Sequence, residues 1–190
     1  MADSDKAGEQ LLVAVVDQTA YVRLRDRGSF KISKALKQFG VTCIENGADR
    51  IVIDMTDCVG MDSTFMGVIA GLAFRLKKTN EGRIHMVNLS SRTRGLLSTL
   101  GLDQLVDTAM QGATPPEFSS ILEHQGGTLE TLKPESGPRN ETAELMLEAH
   151  ENLVEASAEN LPRFRDVLTF LREDIKKANQ PASELTQDSE

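Results

Sequence analysis

The chain of 190 residues is 39% hydrophobic, which provides enough apolar material for one domain with an appendage or for two small domains. Its formal net charge of -8 is unevenly placed, because residues 1–110 hold 14 Lys and Arg against 13 Asp and Glu, whereas residues 111–190 hold 7 against 16. The acidic second part argues against nucleic acid or an anionic membrane as a partner and favours a basic or neutral protein surface.

The N-terminal segment and the two cysteines indicate a cytoplasmic chain. Residues 1–10 are polar and acidic, so we expect a disordered start and no signal peptide. No apolar run approaches the roughly 18–20 residues that span a bilayer. Cys43 and Cys58 lie in different predicted elements and outside any metal-ligand spacing, so we expect small buried thiols in a reducing compartment. Neither a metal nor another cofactor is expected.

The first elements in chain order are a hairpin and a helix. Residues 11–16 form an apolar run and residues 20–25 alternate, with a short polar turn between them, which predicts two antiparallel strands. Ser29 then suits the N-cap of a helix with apolar residues at helical spacing from Ile32 to Cys43. Three lysines, Lys31, Lys34 and Lys37, are interpreted as an ordinary hydrated face of this helix.

Strands and helices alternate along the next part of the chain. The order β-β-α-β-α-β-α-β predicts an α/β domain over residues 11–112 with a mixed four- to five-stranded sheet. Its longest helix is apolar almost all round, and Gly67 and Gly71 give it a thin side where we expect the sheet to approach. The predicted elements are a strand at 50–55, a helix at 63–78, a strand at 83–88, a short helix from Ser90 to Leu100 and an edge strand at 105–106.

The last third of the chain predicts a linker and helices. Prolines and glycines interrupt residues 113–140, which indicates a linker. Residues 141–178 carry two apolar stripes at helical spacing, one on each side of Pro162, so they form either a helical hairpin or one long helix kinked there. Each stripe must pack on its neighbour, on the α/β domain or on a second chain. Residues 179–190 are predicted to be a disordered tail.

The turn between the strand at 50–55 and the following helix places a hydroxyl, Ser63, at a helix N-terminus. A phosphate there would gain unpaired backbone N–H groups and the positive end of the helix dipole. It would also bring a charge of about -1.5 to -2 beside Asp62, so it would change the surface potential more than the fold. The alternative is that Ser63 or Asp62 is only an N-cap, which contributes about 1 kcal/mol.

Two segments of the sequence resemble the STAS domain of bacterial anti-sigma factor antagonists. The first reads I-V-I-D-M-T-D-C-V-G-M-D-S-T-F-M-G and the second L-S-S-R-T-R-G-L-L-S-T-L-G-L-D-Q-L-V. The family motif, Asp-Ser-Ser/Thr-Gly-Leu-Gly, follows a strand that ends in Asp. The resemblance covers roughly residues 10–110, and the matching positions are Asp54, Asp62, Ser63, Thr64, Gly67 and the pair Gly101 and Leu102.

The resemblance implies a binding module and not an enzyme. Ser63, or less favourably Thr64, would be the residue that a partner kinase phosphorylates, and a phosphatase would reverse the reaction. The unmodified form would bind an anti-sigma factor or a serine kinase of the partner-switching type. The implied partner-binding and switch loop comprises Asp54, Asp57, Asp62, Ser63, Thr64, Phe65 and Gly67.

One departure from the motif and three alternative functions accompany this prediction. Phe65 replaces the usual glycine, so we expect a bulky side chain where partners approach. The alternatives are a non-switching scaffold or oligomeric adaptor, such as a homodimer, assembled through the C-terminal helices, or the STAS subunit of a transport complex. A serine hydrolase is disfavoured, because the turn lacks the G-x-S-x-G elbow and the histidines lie in a strand (His85), in the linker (His124) and in a C-terminal helix (His150).

Overall fold

The computed structural model describes residues 8–118, 129–134 and 138–179. The expected disorder of residues 1–10 and 179–190 therefore lies almost wholly outside the described residues. The strands are β1 (Gln10–Val16), β2 (Thr19–Gly28), β3 (Arg50–Met61), β4 (Arg83–Leu89), β5 (Asp107–Met110) and β6 (Glu130–Leu132). The helices are α1 (Phe30–Glu45), α2 (Ser63–Asn80), α3 (Ser91–Thr99), α4 (Arg139–Ala156) and α5 (Asn160–Ala178), with a 3-10 turn at Leu102–Gln104.

The predicted mixed α/β architecture is confirmed, with six strands in the order β5-β4-β3-β2-β1-β6. β1 pairs antiparallel with β2 and β6, and the other pairings are parallel. β3 is central, and its residues Ile51, Val52 and Ile53 are at most 1% exposed, as its apolar run predicts for a parallel strand covered on both faces. The carboxyl ends of β3 and β4 therefore open at the same edge of the sheet, next to the starts of α2 and α3.

One strand was predicted at the wrong position, and another was not predicted. The edge strand lies at Asp107–Met110 and not at 105–106, because Gly101, with a φ of 74°, ends α3 and a 3-10 turn follows before the chain enters β5 beside β4. The predicted linker contains β6, in which Leu132 pairs with Leu11 of β1. Because β6 has only three residues, its sequence shows no detectable alternation. The strand is defined by its hydrogen bonds to the edge of β1 that β2 leaves free.

The C-terminal helical segment is a hairpin and not one kinked helix. α4 ends at Ala156, and α5 begins at Asn160, where Pro162 falls within the first turn and needs no N–H donor. Asn160 is 1% exposed, and its Nδ2 donates to the carbonyl oxygens of Leu153 at 2.8 Å and Leu100 at 3.0 Å. One buried amide thus fixes the corner of the hairpin to the end of α3.

The apolar stripe of α4 packs on α2 within the same chain. Leu145, Ala149 and Leu153 are buried in the same core as the apolar residues of α2. A Cβ built on Gly67 would lie 2.1 Å from the carbonyl oxygen of Ala149, so the glycine permits main chain to touch main chain. The thin side of α2 was expected to face the sheet. It faces α4 instead, because the bulkier apolar residues of α2 fill the space against the strands.

The lysine row of α1 is not an ordinary hydrated face. Lys34 Nζ lies 2.8 Å from Glu141 Oε2, and Lys37 forms an ion pair with Glu148, so the acidic α4 lies against the basic face of α1. The basic surface that the acidic second part of the chain was expected to seek is therefore present on its own first domain.

The cysteines and the helices agree with simple packing. Cys43 and Cys58 are both 7% exposed and form no disulfide, and burial raises the pKa of each thiol. Inert, buried thiols of this kind fill space in a core. Within the described residues, the helices are too short or too polar for any of them to cross a membrane.

Phe65 provides a test of the core. It is 0% exposed, so Phe65→Ala is expected to lower the free energy of unfolding by about 3–5 kcal/mol through lost burial and the cavity left behind. Phe170, which is 63% exposed, is the matched control, and Phe170→Ala should change it by no more than about 0.5 kcal/mol. Urea unfolding measures both; equal losses for the two variants would contradict this packing.

Candidate functional site

Asp62 organises the corner where β3 ends and α2 begins. It is the N-cap of α2, with extended φ and ψ of -93° and 171°, and its Oδ1 accepts a hydrogen bond from Phe65 N at 2.9 Å. Its Oδ2 accepts from Phe30 N, the first residue of α1, at 2.8 Å. One carboxylate therefore satisfies unpaired N–H groups at the starts of two helices. Of the two cap candidates in the sequence, Asp62 is the cap.

Ser63 occupies the first position of α2, and its hydroxyl has no capping role. The side chain is partly exposed, and its Oγ lies 3.0 Å from Nε2 of His150 in α4. The other ring nitrogen, Nδ1, lies 2.7 Å from the carbonyl oxygen of Met146, which can only accept. In the neutral ring Nδ1 therefore carries the hydrogen, and Nε2 accepts a hydrogen bond from the Ser63 hydroxyl.

His150 is the site residue that sequence reasoning missed. It is 5% exposed, and its ring meets the edge of Phe164 in α5 with a centroid distance of 4.9 Å and an interplanar angle of 68°. Packing and the Met146 carbonyl thus fix both the position and the tautomer of the ring. The only sequence signal was a histidine next to the apolar stripe of an otherwise acidic helix, and nothing in that pattern points to a residue 87 positions away.

The contact between Ser63 and His150 lacks the carboxylate of a Ser-His-Asp triad. In a Ser-His-Asp triad a carboxylate holds the ring and stabilises the imidazolium that forms, whereas here a neutral carbonyl oxygen takes that place. The cavity that lies between α1, α2 and α4, of about 110 Å³, is lined by neither residue. The geometry supports a structural hydrogen bond between α2 and α4. It provides no support for the serine hydrolase alternative.

Asp54 lies beneath the corner and holds three strands together. It is 1% exposed, and its Oδ2 accepts from Arg23 Nε on β2 at 2.8 Å. Its Oδ1 accepts from Asn88 Nδ2 on β4 at 2.8 Å and from the hydroxyl of Thr56 at 2.6 Å. Burial alone would raise the pKa of Asp54, but the hydrogen bonds from Asn88, Thr56 and Arg23 outweigh it, so this pKa lies below its usual value.

The other residues of the predicted loop divide between surface and core. Asp57 is exposed, with an oxygen 3.9 Å from Arg25 Nε. Thr64 is 5% exposed and therefore poorly placed to meet a kinase. The expectation for Phe65 was wrong: its side chain is fully buried against Gly28, where an added Cβ would come within 2.6 Å of the ring. The helix turns this residue inward, so it cannot touch a partner.

Two apolar side chains that the sequence did not single out stand on the surface near Ser63. Phe30, at the start of α1, is 41% exposed, and its backbone N–H is the one that Asp62 binds. Val59, near the end of β3, is 58% exposed. Among the described residues, no group of three or more His, Cys, Asp or Glu side chains is placed to hold a metal ion. The corner thus exposes apolar side chains close to the carboxylate of Asp62.

Comparison with known proteins identifies the family. The model of the STAS domain matches residues 10–114, more than half of the chain, so the chain belongs to the STAS domain family. Comparison with curated proteins gives no match.

Solved structures that resemble the chain are described as anti-sigma factor antagonists. An anti-sigma factor antagonist from Mycobacterium paratuberculosis is 20% identical with a TM-score of 0.49, over 64% of this chain and 97% of that one. The antagonist SpoIIAA in its unphosphorylated form is 20% identical with a TM-score of 0.48, over 60% and 96%. The Bacillus cell fate determinant SpoIIAA in its phosphorylated form is 23% identical with a TM-score of 0.47, over 60% and 98%.

Asp54 generates a pH-dependent prediction. At pH 7, Asp54→Asn is expected to lower the free energy of unfolding by about 3 kcal/mol, because Arg23 loses its buried counter-ion. The folded pKa is lowered, so this contribution is fully present above 3.8, the usual pKa of an aspartate, and is lost as the pH falls from there through the folded pKa. The difference between wild type and Asp54→Asn should therefore shrink as the pH falls below 3.8.

The control for this measurement is Asp57→Asn. Asp57 is 50% exposed and its ion pair with Arg25 is long, so the variant should change stability by no more than about 0.5 kcal/mol. Urea unfolding across the pH range gives both curves. If the difference in free energy of unfolding between wild type and Asp54→Asn stays constant with pH, the lowered pKa of Asp54 is contradicted.

Proposed function

We propose that the chain is a regulatory binding module of the anti-sigma factor antagonist type, in which phosphorylation of Ser63 switches partner binding. The observation that carries this proposal is the position of the Ser63 hydroxyl: partly exposed, first in α2, and relieved of capping by Asp62. A modification of Ser63 would therefore leave the capping hydrogen bonds of Asp62 in place.

The switch needs a kinase that transfers a phosphoryl group from a nucleoside triphosphate. The Ser63 Oγ–P bond forms, the bond between that phosphorus and the bridging oxygen of the leaving diphosphate breaks, and the hydroxyl proton passes to a base of the kinase. A phosphatase would restore the hydroxyl with water as co-reactant. Both steps place the module in the cytoplasm, in a pathway where an anti-sigma factor or a serine kinase is the partner.

The surroundings of Ser63 supply a reason why a phosphate would weaken binding. Phe30 and Val59 expose apolar surface at the corner, and buried apolar contacts supply most of the binding energy in protein interfaces. A phosphate with a charge of about -1.5 to -2 would have to be desolvated there, beside the carboxylate of Asp62. The unmodified form is therefore the binding form in this proposal.

A second candidate function is a homodimeric adaptor, and the outer face of α5 favours it. Val167 and Phe170, three residues apart on one face of this helix, are 39% and 63% exposed, although the buried stripe of the same helix packs inside the chain. A second copy would cover such a strip. If this candidate is correct, Phe170→Asp halves the mass in light scattering, whereas Ser63 variants leave the mass unchanged.

The phosphorylation switch is tested with paired serine variants. Ser63→Asp is expected to weaken partner binding at least tenfold, or about 1.4 kcal/mol, while Ser63→Ala keeps wild-type affinity. Ser91 is the matched control, because it is exposed and is the first residue of α3. It follows the N-cap residue Ser90 as Ser63 follows the N-cap residue Asp62. Ser91→Asp should bind as wild type.

The measurement begins with capture from a native-cell lysate, using each variant as bait, and continues with calorimetry on the captured partner. Indistinguishable affinities for Ser63→Ala and Ser63→Asp would refute the switch. If Ser91→Asp loses as much partner affinity as Ser63→Asp, general surface charge explains the effect and the switch is refuted.

A further inference from the structure

Helix α4 covers the side of α2 that begins at Ser63. Ala149 lies against Gly67 with main chain on main chain, and Asn152 Nδ2 donates to the carbonyl oxygen of Gly67 at 3.3 Å. Leu153, one residue further, is 0% exposed. A helix from any other protein that approached this side of α2 would have to take the place of α4.

The covering contact includes the switch residue itself. A phosphate on Ser63 Oγ cannot donate a hydrogen bond to His150 Nε2, and its three oxygens need room where these two atoms now lie at hydrogen-bond distance. Charge acts in the same direction, since α4 carries five glutamates and one arginine. Modification of Ser63 therefore disfavours the docked position of α4.

We propose that α4 is an internal competitor for this face of α2, and that its docked and released states gate access to Ser63. Kinase and partner then act only on the released state, so the apparent dissociation constant of either exceeds the intrinsic one by the inverse of the released fraction. The identity of Ser63 as the modified residue rests on the proposed function, whereas the docking equilibrium stands on the contacts of α4 alone.

The polar contacts of α4 are of the kind that permits release, whereas its buried apolar stripe holds it on α2. Its ion pairs with Lys34 and Lys37 join side chains that remain 28–52% exposed, so water can replace either partner. A cavity of about 110 Å³ lies between α1, α2 and α4, so the three helices do not pack closely along the whole of their contact. Among the described residues, the hydrogen bond from Ser63 to His150 is the polar contact between α2 and α4 that depends on the state of Ser63.

Hydrogen exchange with mass spectrometry on the full chain tests the gate without any partner. In Gly67→Ala the new methyl group collides with the main chain of Ala149, while alanine strengthens the helix itself. Exchange of the amides at 139–156 is expected to rise at least about tenfold, while β3 and β4 keep their protection. Gly95→Ala is the matched control, since Gly95 lies inside α3 with nothing near an added Cβ, and it should leave α4 unchanged.

Ser63→Asp is the second variant, with Ser91→Asp as its control. The aspartate cannot donate to His150 and adds charge beside an acidic helix, so exchange at 139–156 should rise as in Gly67→Ala. Unchanged protection of α4 in both Gly67→Ala and Ser63→Asp would overturn the gate. Equal increases in Gly95→Ala or Ser91→Asp would overturn it as well, because the effect would then not come from the contact.

Failure of the gate and failure of the switch give different results. If α4 is released by both variants but Ser63→Ala and Ser63→Asp bind the partner equally, the gate stands and the phosphorylation switch falls. If partner affinity follows Ser63 while α4 keeps its protection in Gly67→Ala, the switch stands and the gate falls.

Discussion

The two hydrogen bonds of the Asp62 carboxylate determine what the rest of the site can do. By accepting from Phe65 N and Phe30 N, Asp62 joins the start of α2 to the start of α1 and completes the capping of α2. Ser63 therefore has no capping role, and its hydroxyl bonds instead to His150 of α4. Below it, the hydrogen-bonded Asp54 holds β2, β3 and β4 in register, so the corner is built on a rigid sheet edge.

Helix α2 lies between two partners, and this explains its composition. A helix that is apolar all round is normally buried on all sides. The sheet covers one side of α2, where Phe65 and its apolar neighbours point inward. Helix α4 covers the other, where Gly67 permits contact of the main chains. The buried apolar residues of the STAS domain and of the C-terminal hairpin thus belong to one core.

Local patterns in the sequence predicted most of the fold, because each strand and helix up to α3 carries its own periodicity and its own cap or turn. The cap at Asp62 and the position of Ser63 follow from the same local chemistry. Apart from the edge strand, which a local 3-10 turn moved to Asp107–Met110, the failures concern contacts between distant segments. The three residues of β6 depend on the open edge of β1, the inward turn of Phe65 depends on Gly28, and His150 meets Ser63 across 87 positions.

The charge imbalance between the two parts of the chain was visible in the sequence, but its meaning was not. It predicted a basic surface for the acidic segment, and α1 with Lys34 and Lys37 is that surface within the same chain. Composition can indicate that an acidic segment is complementary to a basic surface. It cannot distinguish an internal partner from an external one, since that depends on whether the chain between them allows the two faces to meet.

The central claim is that the state of Ser63 and the docking of α4 are coupled. The most direct measurement is hydrogen exchange on the full chain that carries phosphoserine at position 63, compared with the unmodified chain. The account predicts faster exchange of the amides at 139–156 in the phosphorylated chain and unchanged protection in β3 and β4. The same protection of α4 in both forms would contradict it.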